Sequence, residues 1–167
     1  MTELLKDNLL EYYKFNLQNE SEKFFTLPTL KKLSRQILTA LDYIHSLDII
    51  HCDIKPENIM VKSYSQPTFK IIDLGSSCFK HDHLSSYVQS RAYRAPEVLL
   101  ESRYDSKIDV WSFGLVICEL FLGKAEECNS LDGSLYEMLT ERVFGKRIYN
   151  DVLFVYYLTF LWEYFEL

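Results

Sequence analysis

The 167-residue chain has little of what several function classes require. It holds five glycines, none in a GxGxxG arrangement, so it contains no glycine-rich loop of the kind that covers phosphates. Its four cysteines, Cys52, Cys78, Cys118 and Cys128, show neither a CxxC pair nor zinc-ligand spacing. They read as free thiols of a reducing compartment, cytoplasmic or nuclear. Eighteen Lys and Arg stand against 24 Asp and Glu, a net charge of −6. The basic residues occur singly or in pairs, which excludes a broad basic surface for nucleic acid. Glu3 falls where a secretory leader would carry basic residues, and no apolar core follows it. The apolar, aromatic stretch Val152 to Trp162 is well short of the about twenty residues a membrane-crossing helix needs. A composition of 48% hydrophobic and 25% charged residues fits one soluble globular unit with a core.

What is present is concentrated in two stretches. His51-Cys52-Asp53-Ile54-Lys55-Pro56-Glu57-Asn58 is followed by Ile71-Ile72-Asp73-Leu74-Gly75. Together they offer a carboxylate, an ammonium, an amide and a second carboxylate, a set suited to handling a nucleotide's phosphate chain. Taken alone, the octapeptide also reads as a polar turn between strands, since Asp, Asn and Pro favour turns. The Asp-Leu-Gly stretch, flanked by apolar strand-like residues, turns the balance towards phosphate chemistry.

The pair resembles the catalytic and metal loops of protein kinases. That resemblance implies that Asp53 accepts or orients the proton of a substrate hydroxyl and that Lys55 neutralises charge on the phosphate in transfer. Asn58 and Asp73 would hold Mg2+, with ATP as phosphate donor. Asp73-Leu74-Gly75-Ser76-Ser77-Cys78 and Tyr87-Val88-Gln89-Ser90-Arg91-Ala92-Tyr93-Arg94-Ala95-Pro96-Glu97 narrow it further. They resemble the activation segment of the dual-specificity tyrosine-regulated (DYRK) kinases, as does Cys52, at a position where most kinases carry Arg. Leu74, where Phe is usual, resembles a plant and protist branch. The resemblance runs from about Met1 to Lys124. It implies a Ser/Thr kinase of protein substrates that phosphorylates its own Tyr87, with Arg91 and Arg94 clasping the phosphate and Ser90 shaping the pocket beside Asp53. It also implies that Met1 to Leu9 is the hinge between lobes, with backbone groups of Glu3 and Leu5 bonding adenine and Thr2 as gatekeeper. The expected fold is mainly α, of the α+β type: a kinase C-lobe with short β-hairpins around the catalytic and metal loops. The N-lobe, with its glycine-rich loop and ATP-anchoring lysine, is expected to be absent. On that expectation a second function stands beside the first: a truncated, non-catalytic kinase-like binding module. The exposed inter-lobe face would then favour association.

Along the chain, Pro28 precedes a helical stripe of Leu30, Leu33, Ile37, Leu38, Leu41 and Ile44 that ends near His45-Ser46. Ile59 to Val61 and Phe69 to Ile72 read as strands about a turn at Ser63 to Pro67. Met60 and Ile72 read equally as an adenine floor and as plain core. His51 reads as structural, bonding the metal loop. His81 and His83 form an HxH pair without a third ligand, which favours an exposed loop over a metal site. Lys107 to Leu122 is apolar nearly all round, a centrally buried helix with Gly123 as its stop. Asp109 inside it needs a partner; by resemblance that partner is the backbone of the catalytic loop. Glu97 would pair with Arg142 or Arg147. The resemblance fades after Lys124, so the chain divides into a partial kinase domain at 1–124 and a divergent remainder of the same lobe at 125–167.

Overall fold

A computed structural model describes residues 3–18, 25–64, 67–82, 85 and 87–122. The chain divides into two units, Met1–Ala125 and Glu126–Leu167, and every described residue lies in the first. Thr2, His83, Gly123, Arg142, Arg147 and the stretch Val152 to Trp162 lie outside the described residues.

The described part is mainly helical with two short antiparallel ladders, as the sequence suggests. Extended residues 3–8 lead to α1 (Leu9–Gln18). Asn8 ends the extended run by accepting the Glu11 N–H on its side-chain oxygen at 2.9 Å, an N-cap that sequence reading did not single out. Leu9, Leu10, Tyr12 and Tyr13 of α1 are buried. The 20-residue α2 (Leu27–Ser46) starts with Pro28 in its first turn and buries Leu30, Leu33, Ile37 and Leu41. Leu38 and Ile44 of the same stripe are half-buried. The helix stops as Asp48 turns left-handed at φ 59, its N–H donating to the His45 carbonyl.

β1 (Ile49–Ile50) then leads into the loop at residues 51–58, which closes with a 3-10 turn at Pro56–Asn58. β2 (Ile59–Ser63) and β3 (Thr68–Ile71) form the expected hairpin, with Ile59 opposite Ile71 and Val61 opposite Phe69. Ile59, Val61 and Phe69 are buried, whereas Met60 and Ile72 are half-buried. Gln36 of α2 ties the hairpin down by accepting the Phe69 N–H at 2.8 Å. The hinge-like segment lies along β2: Lys6 N–H donates to the Val61 carbonyl, and Val61 N–H to that of Asp7. β4 (Cys78–Phe79) pairs with β1, setting Cys78 against Ile50 and Phe79 against Ile49. This ladder joins the approach to the loop at residues 51–58 with the stretch that follows Asp73-Leu74-Gly75.

After a 3-10 turn at Arg91–Tyr93 and the short α3 (Pro96–Leu99), α4 (Lys107–Leu122) runs through the interior. Ile108, Phe113, Leu115, Val116, Ile117 and Leu120 are buried, together with Asp109, Ser112 and Glu119. The all-round apolar pattern therefore reports central burial correctly, and the polar exceptions fall where α4 meets the site. No helix among the described residues is long and apolar enough to cross a membrane.

Candidate active site

The site is built around the anchor that α4 gives the catalytic loop. Asp109 is fully buried, and its carboxylate takes three hydrogen bonds. Oδ2 accepts the His51 N–H at 2.8 Å and faces His45 Nε2 at 2.8 Å, while Oδ1 accepts the Cys52 N–H at 2.9 Å. The partner that the sequence requires for this buried charge is thus the catalytic-loop backbone, with His45 of α2 as a contributor the sequence does not reveal.

His51 is buried, and both ring nitrogens are committed. Nε2 lies 3.0 Å from the Ile72 carbonyl, which can only accept, so Nε2 carries the proton. Nδ1 then accepts the Asp53 N–H at 3.2 Å. A neutral imidazole therefore bridges the catalytic loop to the start of the metal loop, as its structural reading requires.

Asp53 is the convergence point. Its Oδ2 accepts Lys55 Nζ at 2.8 Å and Asn58 Nδ2 at 3.0 Å, and Oδ1 accepts the Ser90 hydroxyl at 2.7 Å. Lys55 Nζ also donates to Ser90 Oγ at 3.2 Å, closing a three-membered circuit. Burial pushes the Asp53 carboxyl upward, but the hydrogen bonds from Lys55 and Ser90 and the Lys55 charge outweigh it and hold the group below its usual range. Asp53 is thus an oriented, ionised carboxylate, able to accept a proton from a hydroxyl that approaches it.

Asn58 gives its amide nitrogen to the Asp53 carbonyl, at 2.8 Å, as well as to its carboxylate, which leaves Oδ1 as an acceptor. Asp73 stands exposed in a left-handed turn, φ 63, with Oδ1 accepting the Gly75 N–H at 3.1 Å. A Cβ at Gly75 would come within 2.9 Å of that same oxygen, so glycine there leaves the Asp73 carboxylate room to keep this position. An amide oxygen and a carboxylate are hard oxygen donors, the set that Mg2+ takes alongside phosphate oxygens. No cluster of three His, Cys, Asp or Glu suited to a metal occurs among the described residues. His81 is exposed, near the Asp48 carboxylate.

The hinge residues lie apart from this circuit. The Glu3 carboxylate bridges Lys62 Nζ, at 2.7 Å, and Lys70 Nζ, and hydrogen bonds from the two ammonium groups hold it down at about 2. Leu5 is half-buried in the extended run beside β2. Tyr87 is exposed, and its ring carries the Arg94 guanidinium carbon 4.6 Å from its centroid. Arg94 Nε donates to the Val88 carbonyl at 2.9 Å and Nη2 to that of Gln89 at 2.9 Å. Arg91 is exposed. Arg94 therefore stacks on the Tyr87 ring while already capping two backbone carbonyls.

Three further features escape sequence reading. Tyr93 donates its hydroxyl to Glu119 Oε2 of α4 at 2.8 Å. Burial, and to a lesser degree the Glu57 charge, lift Glu119 to about 7 against that bond. Glu57 Oε2 and Glu119 Oε1 are buried without a hydrogen-bond partner among the described residues. Cys52 and Cys78 are free thiols with sulfurs 3.6 Å apart, and burial pushes the Cys52 thiol far up. Finally, Gln89 is buried at a left-handed φ of 66. Only the glutamate in an apolar helix pattern carried a signal that could have been followed.

Residues 1–150 match the model of the protein kinase domain family. The chain is similar to dual specificity tyrosine-phosphorylation-regulated kinase 3 of Homo sapiens, at 47% identity over 124 residues, which cover 73% of this chain and 20% of that protein. It is 48% identical over 122 residues to the dual specificity protein kinase YAK1 homolog of Arabidopsis thaliana, covering 72% of the chain and 12% of that protein. Against the probable serine/threonine-protein kinase dyrk2 of Dictyostelium discoideum it is 43% identical over 121 residues, 72% of the chain and 13% of that protein. The chain spans about a fifth or less of the length of these curated relatives. Their identities lie too close together to set one branch above another.

Proposed function

The chain belongs to the protein kinase domain family, and from that premise we propose that it carries the phosphotransfer centre of a DYRK-like, dual-specificity kinase. The reaction is transfer of the ATP γ-phosphoryl group to Ser or Thr of protein substrates, with Tyr87 modified by the enzyme itself. The observation that carries this reading is the circuit at Asp53. One carboxylate is held by Lys55, Asn58 and Ser90 together, on a loop whose backbone is fixed by a buried Asp109. A preset acceptor of this kind lowers the reorganisation that proton transfer from a hydroxyl would otherwise need.

Each residue has a distinct part. Asp53 orients and accepts the hydroxyl proton of the substrate. Lys55, 2.8 Å from that carboxylate, would neutralise charge on the phosphoryl group in transfer. Asn58 Oδ1 and the Asp73 carboxylate would hold Mg2+, which when bound supplies charge neutralisation for the triphosphate. Met60, bridged to Asn8 of the hinge-like segment, and Ile72, which precedes Asp73, would form the adenine floor. Backbone groups of Glu3 and Leu5 would bond the adenine edge. Arg94, with Arg91, would receive the phosphate of Tyr87, exchanging carbonyl partners for phosphate oxygens that bind a guanidinium more strongly. Placement in the cytoplasm or nucleus accords with the free thiols.

The test is incubation of the intact protein with Mg-ATP and a generic basic protein, followed by phosphosite mapping. The reading requires phosphoserine or phosphothreonine on the added protein and phosphotyrosine at position 87. Nucleotide binding without turnover would instead support the non-catalytic module.

A further inference from the structure

We propose that Gln89 is a positioning residue for the phosphotransfer centre: its side-chain amide, fastened to the first turns of α4, holds the turn that delivers the Ser90 hydroxyl to Asp53. The inference rests on the reading of Asp53 as the catalytic carboxylate and adds a residue to it.

The amide of Gln89 is fully used. Nε2 donates to the Ile108 carbonyl at 2.9 Å and to Ser112 Oγ at 2.8 Å, and Oε1 accepts the Ala95 N–H at 2.8 Å. The orientation is dictated, because the Ile108 carbonyl can only accept and the Ala95 N–H can only donate. Ser112 passes the contact on, donating to the Tyr93 carbonyl at 2.7 Å. One side chain thus ties α4 to both ends of the 3-10 turn at Arg91–Tyr93. All these atoms are buried, so an unmade bond would leave a polar group without water.

The backbone of Gln89 explains why such fastening is needed. A non-glycine residue at φ 66 is strained and persists only where its surroundings over-determine it. Here the side chain holds one face, and Arg94 caps the carbonyl. The next residue is Ser90, whose hydroxyl donates to Asp53 Oδ1 and accepts from Lys55. Ser90 also closes the following turn, its carbonyl accepting the Tyr93 N–H at 2.9 Å. Rotation at residue 89 would therefore carry the Ser90 hydroxyl away from Asp53. A surface glutamine has no use for this geometry; a linker between α4 and the catalytic carboxylate does.

The chemistry sets the variants. Gln89→Glu keeps the shape but sets a carboxylate oxygen against the Ile108 carbonyl. Gln89→Gly removes the amide yet accepts the left-handed φ freely, so it separates the staple from the turn. In the intact protein, Gln89→Glu and Gln89→Gly should each lower kcat by about 10-fold or more, as small misplacements at a reacting centre do. KM for ATP should stay within about twofold, because the hinge and metal residues are untouched. Combined with Ser90→Ala, Gln89→Glu should add little to the loss from Ser90→Ala alone, the non-additivity expected of residues acting through one contact. Multiplicative losses, or a Gln89→Gly enzyme with normal kcat, would overturn the proposal. An exchange measurement on chain 1–167 keeps it separate from the kinase reading. Hydrogen exchange across residues 87–95 should rise in both variants while α2 keeps its protection, and unchanged exchange would refute the staple even if no turnover is found. Should Gln89→Glu unfold the chain, Ser112→Ala, which removes one acceptor of Gln89 and the hydroxyl that reaches the Tyr93 carbonyl but leaves the Ile108 and Ala95 bonds in place, must give the same pattern in smaller measure; no change in it would equally refute the staple.

Discussion

Cys52 donates its backbone N–H to Asp109 Oδ1 across 2.9 Å while holding a left-handed conformation, φ 64. A side-chain-bearing residue does not settle there unaided. The Asp109 carboxylate also accepts the His51 N–H, so two successive amides of the catalytic loop converge on one buried anion. The residue immediately after this constrained pair is Asp53.

Asp109→Asn should therefore be costly. An amide offers one acceptor oxygen where three donors converge, and its own N–H2 group would oppose a backbone N–H. Removing one member of a buried charged network typically costs about 3–5 kcal/mol. Urea unfolding of the chain should register a loss of that order. A loss below about 1 kcal/mol, the size of an ordinary hydrogen bond, would mean that the loop is held by something else.

Gly75→Ala should act on Asp73 rather than on the fold. The added Cβ would meet Asp73 Oδ1 at 2.9 Å, and that oxygen is already fixed by the Gly75 N–H. The carboxylate must rotate to relieve the contact. The half-saturating Mg2+ concentration for turnover should rise several-fold, with the unfolding midpoint nearly unchanged. An unchanged Mg2+ dependence would show that Asp73 does not serve as the metal carboxylate.

Glu119 gives a pH signature. Burial raises its folded-state value from 4.5 to about 7, despite the bond from Tyr93. Between those values the folded chain keeps a proton that the unfolded chain has released, so stability falls as pH rises through that window and stays at its lower level above it. Gln at this position still accepts the Tyr93 hydroxyl and carries no charge. Glu119→Gln should therefore gain on the parent protein as pH rises from about 5 to about 7.5, as read by thermal unfolding. A stability difference independent of pH would remove Glu119 as the titrating group.

Sequence reading reached the parts of the site that are local. Asp53, Lys55 and Asn58 fall on one loop, and a carboxylate inside an all-apolar α4 announced that it must be paired. The hairpin β2–β3 showed as two strand-like runs about the turn at Ser63 to Pro67. What stayed hidden depends on contacts between distant residues. Gln89 looks like any surface glutamine until α4, 19 and 23 positions on, supplies its partners. His45 meets Asp109 across 64 positions. The β1–β4 ladder has two residues per strand, too few for a periodic signal. The family resemblance sets Arg94 towards Tyr87, but it carries no information about the carbonyls that the guanidinium also caps.

The central claim is that Asp53 is the carboxylate through which a substrate hydroxyl is activated. Asp53→Asn changes one oxygen for a nitrogen and leaves the volume of the site almost unaltered. Loss of a general base is typically worth about 10²–10⁴-fold. Measured in the intact protein with saturating Mg-ATP and protein substrate, kcat should fall within that range while the unfolding midpoint stays close to that of the parent. Turnover within a few-fold of the parent, on a folded Asp53→Asn protein, would contradict the account.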